Sequence, residues 1–243
     1  MKINLGINID HAATLRNMRG ENDPSILEVA FEVQRGGADS ITMHLREDRR
    51  HIRDEDIFIV KNHVKIPINF EMAATREMLE IALELNPTSV CIVPEKRQEI
   101  TTEGGFDIKN KYHDVQAIVD VLTKKNIAVF IFVEPDVSDI EQCMRIGAAG
   151  VEIHTGAYAR SFFKHTVRED QLQRIRQCAK YCKENKFIFH AGHGLNYHNI
   201  YDLLEIENLA EVNIGHAVLS QALISGIGAS VRAMKNILIG NAQ

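Results

Sequence analysis

The chain is predicted to fold as a single-domain α/β protein, an eight-stranded (β/α)8 TIM barrel. Three observations predict it. Eight short apolar runs alternate with segments of helical periodicity across 243 residues. Strict alternation requires parallel strands, because each return must cross the sheet face. Eight such units in about 250 residues match a closed barrel. An open doubly wound sheet would carry a glycine-rich phosphate loop after its first strand, and NIDHAATLRN stands there instead, without GxGxxG.

The elements follow in order. Strand 1 is read at 2–9, followed by a long connection over 10–24. ILEVAFEVQRGGA (26–38) repeats apolar residues at three- and four-residue steps with charges between, the pattern of a helix covering a sheet. Strand 2 covers 40–45 and runs into the charged HLREDRRHI. Strand 3 covers 66–72, with a helix in TREMLEIALELNP. Strand 4 covers 89–94, and PEKRQEITTEGGFD (94–107) is a second long polar connection, with the composition of an active-site lid. VQAIVDVLTKK is helical before strand 5 (127–133), and VSDIEQCMRIGA before strand 6 (150–155). REDQLQRIRQCAKYCKEN is helical before strand 7 (186–191), and strand 8 covers 210–215. Gly36-Gly37, Asn86-Pro87, Asn126 and Gly147 close the periodic stretches, as helix C-termini prefer. No linker or low-complexity tract divides 1–243.

Composition excludes several classes. A formal net charge of −5 argues against a general nucleic-acid binder. No run approaches the roughly 18 apolar residues of a membrane span, and MKINLGINID lacks the long apolar core of a signal peptide. Cys91, Cys143, Cys178 and Cys182 form no disulfide framework or usual zinc spacing. A cytoplasmic enzyme with reduced thiols is expected.

The strands keep ending in titratable or amide residues. His11, His44, His154, His190, His193 and His216 sit at or just past these ends, six of the eleven histidines. In a parallel barrel those ends build the active site. Asn8 and Asp10, His44 and Arg46, Asn69 and Glu71, and Glu152 and His154 are each two apart and share a strand face. Any one pair suits a structural hydrogen bond, but recurrence on one rim points to a reactive pocket. Arg46 and His51 are placed to face inward and hold phosphate, whereas Arg49 and Arg50 read as a solvated cluster with Glu47 and Asp48. Arg16 and Arg19 are further phosphate candidates, one of which can be structural. Gly192, Gly194 and Gly215, the last before a helix start, suit a second anion site. Glu71, ending an apolar strand, would have its pKa raised by burial and could exchange protons with His44 and His193.

Metal catalysis is less well supported, since the first strand lacks the HxH start of metal-dependent barrel hydrolases. Lys65 and Lys186 precede their strands, at the wrong end for Schiff-base chemistry.

NIDHAATLRN, HLREDRRHI, NFEMA, VPEKRQEITTEGG, EIHTG, AGHGLNYHN and NIGHA occur in this order along nearly the whole chain. In these motifs it resembles the pyridoxine 5′-phosphate synthase family of vitamin B6 biosynthesis. The resemblance implies a transferase that condenses 3-amino-2-oxopropyl phosphate with 1-deoxy-D-xylulose 5-phosphate, releasing phosphate and water. It implies no metal or organic cofactor, no nucleic-acid or membrane partner, and a homo-octamer. By motif, His44, Glu71 and His193 match catalytic acid–base residues, and Glu152 a residue stabilising the reacting species. Glu71 and His44 are expected as bases and His193 as an acid. Asp10, His11, Arg46, His51 and Thr101 match contacts to the xylulose phosphate. Asn8, Arg19, Gly194, Gly215 and His216 match contacts to the amino ketone phosphate. The competing reading is a metal-dependent barrel hydrolase or isomerase acting on a sugar phosphate. A third is a non-catalytic phosphometabolite-binding protein.

Overall fold

A computed structural model describes residues 2–95 and 104–240. The strands are β1 (Asn4–Asn8), β2 (Ser40–His44), β3 (Ile68–Met72), β4 (Ser89–Ile92), β5 (Ala128–Val133), β6 (Gly150–His154), β7 (Ile188–Gly192) and β8 (Leu209–Ile214). They pair in sequence order, all parallel, and β8 returns to β1 through Asn4 opposite Glu211, closing the barrel. The helices are α1 (Asp10–Arg19), α2 (Ile26–Gly36), α3 (Asp54–His63), α4 (Arg76–Leu85), α5 (Tyr112–Thr123), α6 (Val137–Arg145), α7 (Gly156–Arg160), α8 (His165–Glu184), α9 (Tyr201–Leu204), α10 (His216–Ser225) and α11 (Ile227–Gly240).

The predicted strands and the five periodic helices are all found. Their stops work as the residue types require. Gly37 ends α2 at φ 94° and Asn86 ends α4 at φ 47°, the left-handed turn that frees the chain from the helix. Ser25, Thr75 and Asp136 start α2, α4 and α6 by accepting backbone N–H bonds. Gly36 does more than stop a helix. A Cβ there would lie 2.5 Å from Val231 Cβ, so its absence lets α11 pack directly on α2.

One expected connection is in fact a helix. Residues 10–24 contain α1, which Ile9 starts without a side-chain cap and Gly20 ends at φ 69°. Its buried residues are Asp10, Ala12, Ala13 and Arg16, too short of large apolar residues to show a helical stripe in the sequence. The second long segment, 94–107, lies largely outside the described residues. Its described end is anchored: Gly105 N donates to Glu134 Oε1 at 2.9 Å, and Phe106 is buried.

Strand alternation divides the barrel into two unlike faces. Leu5, Ile7, Ile41, Met43, Phe70 and Met72 point outward and are fully buried under the helices. The inward face is polar on one side: Thr42 and Asn213 are hydrogen-bonded across it. On the other side Cys91, Val93, Phe130 and Phe132 form a small separate apolar cluster. Barrel interiors are usually filled by branched apolar side chains. This one carries acids as well.

Glu211 illustrates the cost. Burial pushes its carboxyl up to about 7, against the opposing effect of the Ser40 hydroxyl, which donates to Oε1 at 3.2 Å. The raised value means stability is fully present below the ordinary carboxylate range and is lost as pH rises through about 7. Glu211→Gln is therefore expected to stabilise the fold at pH 8–9 by about 2–3 kcal/mol. Denaturant titrations of both forms across pH should show that gap closing as pH falls toward the usual carboxylate range.

Candidate active site

The C-terminal strand ends open into one cavity of about 610 Å³. It is lined by Asn8, Asp10, His11, His44, Arg46, His51, Glu71, Glu152, His193, Gly194, Gly215 and His216, so residues from strands far apart in sequence converge there. One expected residue does not join them, and another is not described. Thr101 lies outside the described residues. Arg19 stands in the last turn of α1 with its side chain 76% exposed, 3.7 Å from Glu21, and does not line the cavity. The helix that replaces the expected loop carries it out into solvent.

His44 stands between two carboxylates. Its Nε2 is 2.8 Å from Glu95 Oε1, and its Nδ1 is 3.8 Å from Glu71 Oε2. Burial raises the Glu95 carboxyl, but the His44 hydrogen bond and charge, with the Glu47 N–H, bring it below its usual range. An ionised Glu95 accepts the Nε2 proton, and the ring turns its other nitrogen, Nδ1, toward Glu71. Glu71 is pushed well above the ordinary carboxylate range, first by burial, then by the negative charges of Glu152 and Asp10. A protonated carboxyl thus faces an imidazole nitrogen, a pair able to pass a proton once substrate draws them together. Asp10 fixes the strand behind them: Oδ1 accepts the His44 backbone N–H at 3.0 Å, and Oδ2 accepts Asn8 Nδ2 at 3.1 Å.

Glu152, 3% exposed, is raised to about 8 chiefly by burial, with Asn213 opposing through Nδ2–H donated to Oε2 at 2.8 Å. It fits only because Gly192 faces it. A Cβ at that position would lie 2.1 Å from Oε1.

After β7 the backbone turns through two positive φ angles, His193 at 76° and Gly194 at 80°. Left-handed backbone at a non-glycine residue is uncommon and here aims the imidazole into the cavity. Burial, then the neighbouring His154, lower His193 to about 4. His154 packs edge-on against it at 4.9 Å between ring centres, with Nδ1 2.7 Å from Glu134 Oε1. Burial leaves Glu71 protonated and His193 neutral. Each therefore starts in the protonation state opposite to its expected role, Glu71 as a base and His193 as an acid.

Two corners suit anions. Gly215 precedes α10, whose first turn faces the cavity beside Gly194, and backbone N–H groups with the helix dipole favour a phosphate there. His11 and His216 lie 5.2 Å apart, ring to ring, at its edge. Burial lowers the His11 pKa despite the opposing Asp10 charge, and its buried Nδ1 has no hydrogen-bond partner among the described residues. Arg46 and His51 form the other corner. Arg16 is the structural arginine of its pair: it is buried and forks onto Asp56 at 2.6 and 2.8 Å. Arg50 pairs with Asp48 as expected, whereas Arg49 instead reaches Asp54 and Glu77.

Asp10, His44 and Glu71 also bring one potential ligand atom each within 4.8 Å of the others. Sequence reasoning missed Glu95, Glu134, Asp56 and Asn213. Glu95 follows β4 on the same rim as the residues that were found, but it is masked by the charged segment in which it sits.

A family model described as pyridoxal phosphate biosynthesis protein PdxJ matches residues 5–240. The pyridoxine 5′-phosphate synthase of Ehrlichia chaffeensis is 45% identical over 234 residues, 96% of each chain. That of Neisseria meningitidis is 47% identical over 234 residues, again 96% of each. Among solved structures, thiamine phosphate pyrophosphorylase from Pyrococcus furiosus superposes with a TM-score of 0.65 at 13% identity, covering 99% of this chain and 98% of that one. A 3-keto-L-gulonate-6-phosphate decarboxylase from Vibrio cholerae gives 0.65 at 14% identity, covering 98% of both. At such identity these two establish the barrel alone. The family model and the near-full-length relatives establish more: this chain belongs to the PdxJ family of pyridoxal phosphate biosynthesis proteins.

Proposed function

We infer that this chain is a pyridoxine 5′-phosphate synthase, joining 3-amino-2-oxopropyl phosphate to 1-deoxy-D-xylulose 5-phosphate with release of phosphate and water. Near-full-length identity of 45–47% to proteins of that name carries the reading. The two anion corners flanking a set of proton-exchanging groups support it.

The chemistry suits those groups. An amine adds to a ketone, water leaves to give an imine, and an aldol-type closure makes the ring after phosphate departs. Each step needs a proton moved at a defined atom, and two substrates must be held in register, worth several kcal/mol of barrier when done well. Arg46 and His51, with Asp10 and His11, are assigned to the xylulose phosphate. Gly194, Gly215 and His216, with Asn8, are assigned to the amino ketone phosphate. A bound phosphate near His193 favours its charged form and brings it toward the acid role. Substrate that draws Glu71 to His44 lets Glu71 pass its proton to Nδ1 and continue as a base. Glu152 holds a proton for a departing oxygen. An assembly of several copies, an octamer by family resemblance, belongs to the same proposal. Among the described residues, no helix is long and apolar enough to cross a membrane.

Incubating purified protein with both substrates is expected to release pyridoxine 5′-phosphate and inorganic phosphate in equal amounts. Chelator treatment is expected to leave the rate unchanged. Folded protein that yields neither product removes the reading, and loss of activity on chelation would favour a metal-dependent sugar-phosphate enzyme.

A further inference from the structure

A hydrogen-bonded row crosses the barrel interior and ends on Glu152. Ser89 Oγ on β4 donates to Asn69 Oδ1 on β3 at 3.0 Å. Asn69 Nδ2 donates to Thr42 Oγ1 on β2 at 3.4 Å. Thr42 Oγ1 donates to Asn213 Oδ1 on β8 at 3.0 Å, and Asn213 Nδ2 donates to Glu152 Oε2 on β6 at 2.8 Å. The last two links each pass over one strand, β1 and then β7, and so run through the interior. Thr42, Asn69, Asn213 and Glu152 are all buried.

Every donor in the row points toward Glu152. A hydroxyl has one proton and an amide has two unlike ends, so fixing one link fixes the others. Thr42 gives its proton to Asn213 Oδ1, which leaves Asn213 only its N–H to offer the carboxyl. The Cys91 thiol approaches the same oxygen, Oε2, at 4.0 Å. Two glycines clear the space the row needs. A Cβ at Gly6 would lie 2.0 Å from Asn213 Oδ1, and one at Gly192 would lie 2.1 Å from Glu152 Oε1. Mutual satisfaction of buried polar groups would account for a row of amides and hydroxyls. It does not account for a row that terminates on one oxygen of an acid lining the cavity.

We propose that Thr42, acting through Asn213, is a positioning residue for Glu152. The row keeps Oε2 an acceptor, so the proton of a neutral Glu152 sits on Oε1, beside Gly192, and faces the substrate. The inference rests on the synthase reading above and deepens it. Burial holds that proton at neutral pH, with Glu152 raised to about 8. The titratable groups facing Glu152 are Glu71 on β3, Cys91 on β4, His190 on β7 and Glu211 on β8, while Phe132 on β5 carries no charge. Of the neighbours described, the neutral amide of Asn213 is the one that discriminates between the two carboxyl oxygens by a short hydrogen bond.

The test is the pH profile of kcat for the parent, Thr42→Val and Thr42→Ser. Valine keeps the shape of threonine but gives Asn213 Oδ1 no proton, so the amide is free to turn. Loss of a donor to the carboxylate disfavours its charged form. The limb assigned to Glu152 is expected to move up by about one pH unit, with kcat about tenfold lower and KM within about twofold. Serine restores the hydroxyl and is expected to restore both. A valine variant with the parental limb, or a serine variant as impaired as valine, overturns the inference. Should the valine form not fold, Ser89→Ala breaks the head of the row, and an unmoved limb there overturns it equally. Infrared titration of the protonated carboxyl band, identified by its loss in Glu152→Gln, reads the same shift without turnover. A parent without turnover whose band still shifts in Thr42→Val removes the synthase reading and leaves this inference standing. A band that does not shift removes the inference alone.

Discussion

Glu71→Gln is expected to fold as the parent does and to lose turnover by about 10²–10⁴-fold, the range for removing a general acid–base group. The glutamine keeps the length and shape of the side chain. Its carbonyl can still accept from Asn8 Nδ2, which lies 3.5 Å from Oε2 in the parent. What it cannot do is give a proton to His44 Nδ1, 3.8 Å away, or take one back. KM should stay within a few-fold, because neither anion corner is touched. Stability should not fall, since the parent carboxyl is raised by burial and by the nearby Glu152 and Asp10. A group raised in the fold costs stability as pH climbs past its ordinary range, and the amide removes that cost. Initial rates of pyridoxine 5′-phosphate formation, with a melting curve to certify the fold, decide the matter. A folded variant within threefold of the parental rate would exclude Glu71 from the proton transfers.

The rim was legible in the sequence because strand periodicity places residues two apart on one face, and a run that ends in acid or imidazole announces itself. Asn8, His44, Glu71 and Glu152 were found that way, and all line the cavity. The interior row was not legible by the same rule. Thr42, Asn69 and Asn213 are ordinary strand residues until the barrel closes and brings β8 within reach of β2 and β6. α1 was missed because its buried residues are two alanines, an aspartate and an arginine, and an arginine facing inward has no meaning without its partner. That partner, Asp56, is 40 residues away on α3. Resting protonation was also out of reach. His193 is neutral and Glu71 protonated through burial, a property of the assembled pocket and not of either residue type.

Asp56→Ala is expected to cost the fold about 3–5 kcal/mol, the range for breaking a buried ion pair from one side. Arg16 is 4% exposed, and both of its terminal nitrogens are held by Asp56. Without the carboxylate a guanidinium stays buried and uncompensated. For a chain of this size each kcal/mol moves Tm by about 2–4 °C, so a fall of roughly 10 °C is the expected reading. The same aspartate accepts the Arg53 N–H through Oδ2 at the start of α3, and that bond is lost with it. The effect should reach the site. Arg16 Nη2 donates to the His51 carbonyl at 3.3 Å, and Asn17 Nδ2 donates to the same oxygen at 2.7 Å. His51 is in turn 2.9 Å from Thr14 Oγ1 through Nδ1. The arginine thus ties α1 to the segment that carries the Arg46 and His51 corner. Loosening it should raise KM for the xylulose phosphate more than for the amino ketone phosphate, whose corner lies after β7 and β8. Arg16→Met with Asp56→Leu separates the two effects. The double variant removes both charges, so the melting temperature should recover, while the lost bond to the His51 carbonyl keeps that KM raised. Recovery of both would show that the pair acts on stability alone.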